Sequence, residues 1–142
     1  MKSGYSVAVT STASEVVPNQ GVIGTTAWAT GAIAAKSYRL GSNGITYWTP
    51  NGGTATSGQE PTHSSGVDVG TDSIEWVALN KHRKLRISAD RDNACSLSLG
   101  ATPVDGEDTV LDSAAPVWDL GNHSGAVYAI TATTATLAVS LF

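Results

Sequence analysis

A chain of 142 residues is one ordinary domain or two very small ones, and its net charge of −4 argues against a general nucleic-acid binder, which needs a basic face to displace counterions. The single cysteine, Cys95, excludes an intrachain disulfide and a cysteine-cluster zinc site. No apolar run approaches the roughly 18 residues of a membrane span, and the opening Met1 to Val9, one Lys followed by strand-like alternation, does not read as a secretory signal. Apolar content is 41%, yet the chain holds one Phe and one Met, so the core must be built from Val, Ile, Leu and four Trp. Such a thin core takes its missing burial from disulfides, metals or other chains. Self-association is therefore expected.

In chain order, Tyr5, Val7 and Val9 alternate with small polar residues, a period of two that predicts a first strand. Glu15-Val16-Val17 is a second short strand, stopped by Pro18-Asn19. From Gly21 to Leu40 the large groups are few, Trp28, Ile33, Tyr38 and Leu40 among Gly, Ala and Thr. Asn43-Gly44 is a hairpin turn signal before a strand from Ile45 to Thr49. A long stretch of Gly, Thr, Ser, Pro and Asp follows, and Ile74, Trp76, Val77 and Leu79 close it. So long a connection in a compact domain is packed on its own side chains or used for binding, and its aromatic ends would have to pair.

After Leu79 the character changes. Leu85, Ile87 and Ala89 alternate with Arg86 and Ser88, and Asp90 to Asn93 is a polar turn. Cys95, Leu97 and Leu99 make the returning strand, with Cys95 a buried thiol. Val110-Leu111 and Val117-Trp118 are short strands, Gly121 to Gly125 is a turn, and Ala126 to Thr131 and Ala135 to Phe142 are the last two strands. No convincing helical stripe exists anywhere. Many short strands with frequent turns predict an all-β fold, a small antiparallel β-sandwich or partly closed barrel with an inserted β-rich lobe.

Val16-Val17-Pro18-Asn19, Arg83-Lys84-Leu85-Arg86-Ile87, Asn93 to Gly100 and Gly125-Ala126-Val127-Tyr128-Ala129-Ile130 resemble a small β-sandwich family of phage virion proteins. In that family the asparagine and the Arg-Lys pair stand only a few residues apart, whereas here residues 21–79 lie between them. The resemblance implies a discontinuous frame, 1–20 with 80–142, carrying an insertion at 21–79. Within the insertion, Trp28, Tyr47, Gly52-Gly53, Pro61-Thr62-His63, Gly66, Asp72 and Trp76 are similar to an aromatic module of phage tail and fibre proteins, related to chitin-binding-type modules. Both resemblances imply a virion surface and not an enzyme.

Aromatic faces stack on pyranose rings, so Trp28, Tyr47, Trp48 and His63 are the candidate surface-contact residues, with Trp76 read as core. Alternation puts Tyr47 and Trp48 on opposite faces, and a one-sided sheet would bury at most one of them. The basic run Lys81, His82, Arg83, Lys84 and Arg86 lacks interleaved aromatics for stacking bases. Its bland reading is an edge-strand gatekeeper. Lys81, Arg83, Lys84 and Arg86 are alternatively a contact with a capsid or a neighbouring subunit. Asp119 with His123-Ser124 has the residue types of a hydrolase triad but sits in one turn, not on separate rigid elements. His63 with Asp68 and Asp72 lacks a recognisable metal-ligand spacing, and Asp105, Glu107 and Asp108 read as a solvated turn. No catalytic residue, metal or cofactor is expected.

The expected function is that of a phage structural protein on the virion, a decoration or cement protein that binds and stabilises the head surface. Its expected partners are the major capsid protein and itself, as a homotrimer, with no nucleic acid and no membrane. The alternative is a tail or fibre component whose aromatic insert binds a host-surface glycan. A glycan hydrolase is a third class, disfavoured because no carboxylate pair stands on rigid elements.

Overall fold

The computed structural model describes residues 3–10, 14–19, 22, 24–79, 84–89, 93–99, 109–121 and 126–141. The strands in chain order are β1 (Ser3–Val9), β2 (Glu15–Val17), β3 (Gly31–Ile33), β4 (Ser37–Leu40), β5 (Thr46–Thr49), β6 (Gly53–Ala55) and β7 (Val67–Val69). They continue with β8 (Glu75–Ala78), β9 (Leu85–Ala89), β10 (Cys95–Leu99), β11 (Thr109–Leu111), β12 (Val117–Gly121), β13 (Val127–Ile130) and β14 (Ala135–Leu141). Among the described residues there is no helix, and the strands form antiparallel sheets, none of them closed into a barrel. The chain divides into two compact units, one taking in Val22–Lys81 and the other joining Lys2–Gly21 to His82–Phe142.

The joined unit holds two four-stranded sheets, ordered β1-β14-β9-β12 and β11-β10-β13-β2. Alternation decides which face is inside. Along β14, Ala135, Leu137, Val139 and Leu141 are buried while Thr136 and Ala138 are exposed, and Val7, Val9, Leu85 and Ile87 are buried in the same sheet. Val17, Cys95, Leu97, Leu111, Val127 and Ala129 are buried in the other sheet. Two antiparallel sheets, each with one apolar face buried, fit a small β-sandwich. The first strand pairs with the last over its whole length, from Ser3↔Leu141 to Val9↔Ala135. Tyr5 then donates its hydroxyl hydrogen to the Pro18 carbonyl, holding the end of β2 to β1. The thiol of Cys95 is buried and faces the Ile130 carbonyl.

The Val22–Lys81 unit holds a four-stranded sheet, β4-β5-β8-β7, and the two-stranded sheet β3-β6. The aromatic ends of the long polar stretch do pair, with Tyr47 opposite Ala78 and Trp48 opposite Val77. The stretch is less bare than its composition implies. It contains β6 and β7, strands of three residues each, too short for a period of two to register. A core cluster of Ile33, Ile45, Tyr47, Ala55, Ile74, Trp76 and Ala78 fills this unit, with Trp28 packed against it.

The Gly52-Gly53 pair shows how the unit closes. Thr49, fully buried, accepts the Gly52 N–H at 3.0 Å, and Asn51 reaches the 73–75 turn through Ser73 O (2.9 Å) and Glu75 N (3.0 Å). Gly52 has φ +63°, and a Cβ there would lie 2.4 Å from the Ile33 carbonyl oxygen and 2.6 Å from the Ala34 and Ala35 backbone. Backbone cannot step aside as a flexible side chain can. Gly52→Ala therefore combines a left-handed conformation with overpacking and is expected to cost on the order of 2–4 kcal/mol. Urea unfolding of the variant reads this directly, and an unchanged midpoint would contradict the close approach.

Candidate functional site

Tyr47, Trp48 and Trp76 are built into the interior of the 22–81 unit, with Trp28 and His63 half-buried against it. Tyr47 is fully buried and donates its hydroxyl hydrogen to the His63 carbonyl (2.6 Å), while the same oxygen accepts from Asn43 Nδ2 (2.9 Å). The His63 ring packs on Tyr47, with centroids 5.1 Å apart and planes tilted by 49°. Nε2 of His63 lies 3.1 Å from the Gly66 carbonyl, which can only accept, so Nε2 donates to it, and Nδ1 is buried without a partner among the described residues. Trp76 meets Tyr47 edge-on at 6.5 Å and 76°. Asp72 holds a turn, accepting from Ile74 N (3.2 Å) and Thr56 N (3.4 Å). Trp76, Tyr47, His63 and Gly66 thus form one structural chain of contacts.

Several expectations are corrected here. Trp48 is only 3% exposed and Tyr47 is fully buried, so both faces of β5 are covered and neither ring offers a stacking face. The expectation that one of the two lies outside fails because it assumes a sheet with one wet face. His63 is half-buried and tied down by its ring contact with Tyr47. Trp28 is half-buried against the core cluster, with its Nε1 buried and without a hydrogen-bond partner among the described residues. Of the basic run, Lys81 and Arg83 lie outside the described residues, and Lys84 and Arg86 are exposed. The gatekeeper reading of that run does not hold for Arg86. β9 is an interior strand, between β14 and β12. Arg86 instead faces Asp119 across the ladder, 2.9 Å away, which pulls the Asp119 carboxyl below its ordinary range. His123 and Ser124 also lie outside the described residues, as do Asp105, Glu107 and Asp108. Among the described residues no three His, Cys, Asp or Glu side chains gather as a metal site.

Half-buried Tyr38 and buried Tyr47 give this unit a pH signature. Burial raises Tyr38 far above the ordinary tyrosine range; at Tyr47 burial is the main cause of a raised value, opposed by the Asn43 hydrogen bond and reinforced by the Glu60 carboxylate. The folded state holds these protons more tightly than the unfolded chain, so their contribution is complete below the unfolded value of about 10 and is lost as pH rises above it. The melting temperature is expected to be level up to about pH 9 and to fall from about pH 10. Tyr47→Phe, which also loses two hydrogen bonds, is expected to melt lower at neutral pH but to fall less steeply. A wild-type melting curve unchanged between pH 8 and pH 11 would contradict the burial of these hydroxyls.

Beside this core lies a cleft of about 240 Å³, walled by Gly58 to Thr62 on one side, Asp68 to Thr71 on the other, and Trp76. Gln59 Oε1 accepts from Thr71 N (2.7 Å) across it, and Glu60 Oε1 accepts from Ser42 N (2.7 Å). Neither Glu60 nor Asp68 has an ion-pair partner among the described residues. Trp76 is 2% exposed and its Nε1 has no acceptor among the described residues. Next to the cleft β7 exposes Val67 and Val69, at 45% and 53%. The three-residue strand and Glu60 carry no motif, and Asp68 drew notice only beside His63 and Asp72 as a metal-ligand set, so nothing in the sequence pointed to this cleft.

The class defined by these observations is an all-β protein of sandwich type with a second β unit that encloses Tyr47, Trp48 and Trp76. No protein-family model, no curated protein and no solved structure matches the chain.

Proposed function

We propose that the chain is a structural protein of a phage particle, one that decorates the head surface and stabilises it by binding the major capsid protein, as a homotrimer. One observation carries this reading. The aromatic residues that would build a sugar platform are used inside the 22–81 unit, and what remains on offer is β surface. Val16, Leu99 and Val117 are exposed on the joined unit, Val67 and Val69 on the other. Sheet edges and apolar strand residues make protein contacts, and β-sandwich frames with few large aliphatics gain burial by assembly. The resemblance of the frame motifs to phage virion β-sandwich proteins supports the same reading. A tail or fibre role through glycan stacking is the weaker alternative, since Tyr47 and Trp48 are enclosed.

The test uses heads of the encoding phage assembled without this chain. The purified protein should sediment as a trimer and co-sediment with those heads, raising their resistance to heat. A stable monomer that stays in the supernatant, or that sediments only with tails, would overturn the proposal.

A further inference from the structure

The open edge of β7 and the cleft beside it form one surface, and its chemistry selects an occupant. The sheet order β4-β5-β8-β7 leaves two edges. At β4 the outward groups of Leu40 are taken by Thr26 O (2.8 Å) and Trp28 N (2.9 Å), and the Tyr38 carbonyl accepts from Arg39 Nη1 (2.7 Å). Three of the four outward groups of that edge are thus taken. β7 is different. Ala78 N bonds to Gly66 O (3.0 Å) and Gly70 N to Ile74 O (3.3 Å), and Asp68 stands opposite Trp76 between them. Hydrogen-bonded pairs alternate along an antiparallel ladder. Gly66, Asp68 and Gly70 therefore point their backbone groups at β8, and Val67 and Val69 point theirs outward. Of these, Val69 N–H meets the Asp68 carboxylate at 3.0 Å.

A strand laid along that edge alternates its own side chains between the two faces of the sheet. On one face they meet Val67 and Val69, both exposed. On the other they meet Asp68 and the cleft lined by Glu60, Pro61 and Trp76. All four acidic residues of 22–79, namely Glu60, Asp68, Asp72 and Glu75, fall within this part of the chain, whereas its cations, Lys36 and Arg39, are in and just before β4 at the far edge of the sheet. A second copy of β7 fits poorly. The antiparallel register of fullest overlap would set Asp68 against Asp68, and like charges directly opposite are destabilising. We propose that β7 docks an extended basic segment of another protein by strand addition, with small or β-branched residues on the Val67–Val69 face and Lys or Arg at alternate positions entering the acidic cleft. The inference stands independently of the capsid reading.

The test is titration of the full chain, ¹⁵N-labelled, with the peptide acetyl-TKVKVKT-amide and with its Lys-to-Glu counterpart. The basic peptide is expected to shift the amides of 66–70 and the Trp76 indole, to bind more weakly as salt rises, and the acidic peptide is expected to leave them unmoved. Glu60→Gln with Asp68→Asn keeps the hydrogen-bonding shapes and should weaken binding about tenfold. Val67→Pro removes the outward N–H that the Asp68 carboxylate does not already hold, without touching the β8 ladder, and should abolish the shifts. No binding at millimolar peptide, equal binding by the charge-neutral double variant, or shifts confined to other strands would overturn the proposal. So would concentration-dependent shifts of 66–70 without peptide, which would assign the edge to a second copy.

Discussion

Trp76→Ala is expected to unfold the 22–81 unit, at a cost of about 3–5 kcal/mol, as buried aromatic truncations do. Trp76 is 2% exposed, sits in the core cluster with Ile33, Ile45, Tyr47, Ala55, Ile74 and Ala78, and meets Tyr47 edge-on. Few other large side chains exist in this unit to refill the space. Removing the indole also removes the support of the Tyr47–His63 contact, and with it the seat of the 61–66 segment. Trp76→Phe keeps a ring in the cluster and should cost clearly less. Tryptophan fluorescence and circular dichroism during urea unfolding read both variants, and a Trp76→Ala protein with a wild-type midpoint would contradict the core assignment.

Trp48→Ala is expected to be of similar size, about 3–5 kcal/mol. This is the sharper test, because reasoning from alternation alone makes Trp48 a mild surface truncation. The side chain is 3% exposed and lies opposite Tyr38 and Val77 on the neighbouring strands. Val77 and Leu79 are buried with it, so the face of β5 away from Tyr47 is a second apolar layer. Denaturant unfolding with a loss below about 1 kcal/mol would restore Trp48 as a surface residue.

Those two tryptophans also mark the boundary of what the sequence makes legible. Alternation along Tyr5 to Val9, Leu85 to Ala89 and Ala135 to Leu141 is long enough to reveal strand and face together, and it leads to the all-β class. The aromatic ends at Tyr47-Trp48 and Trp76-Val77 are legible as partners because little else nearby can be buried. What sequence cannot supply is the order of strands in a sheet, since pairing is non-local. β9 therefore reads as an edge carrying charges, although β12 lies alongside it and answers Arg86 with Asp119. β3, β6 and β7 are too short to show a period. Tyr47 and Trp48 fail as contact residues for a related reason. Tyr, Trp and His have the right chemistry for either a platform or a core, and only the packing around Tyr47 decides between them.

The role on the particle is tested most directly by locating the chain on intact virions of the phage that encodes it, by electron microscopy of particles carrying a tagged copy. Density distributed over the head surface at threefold positions is the predicted result. Label confined to the tail or its fibres, or absent from the particle, would contradict it.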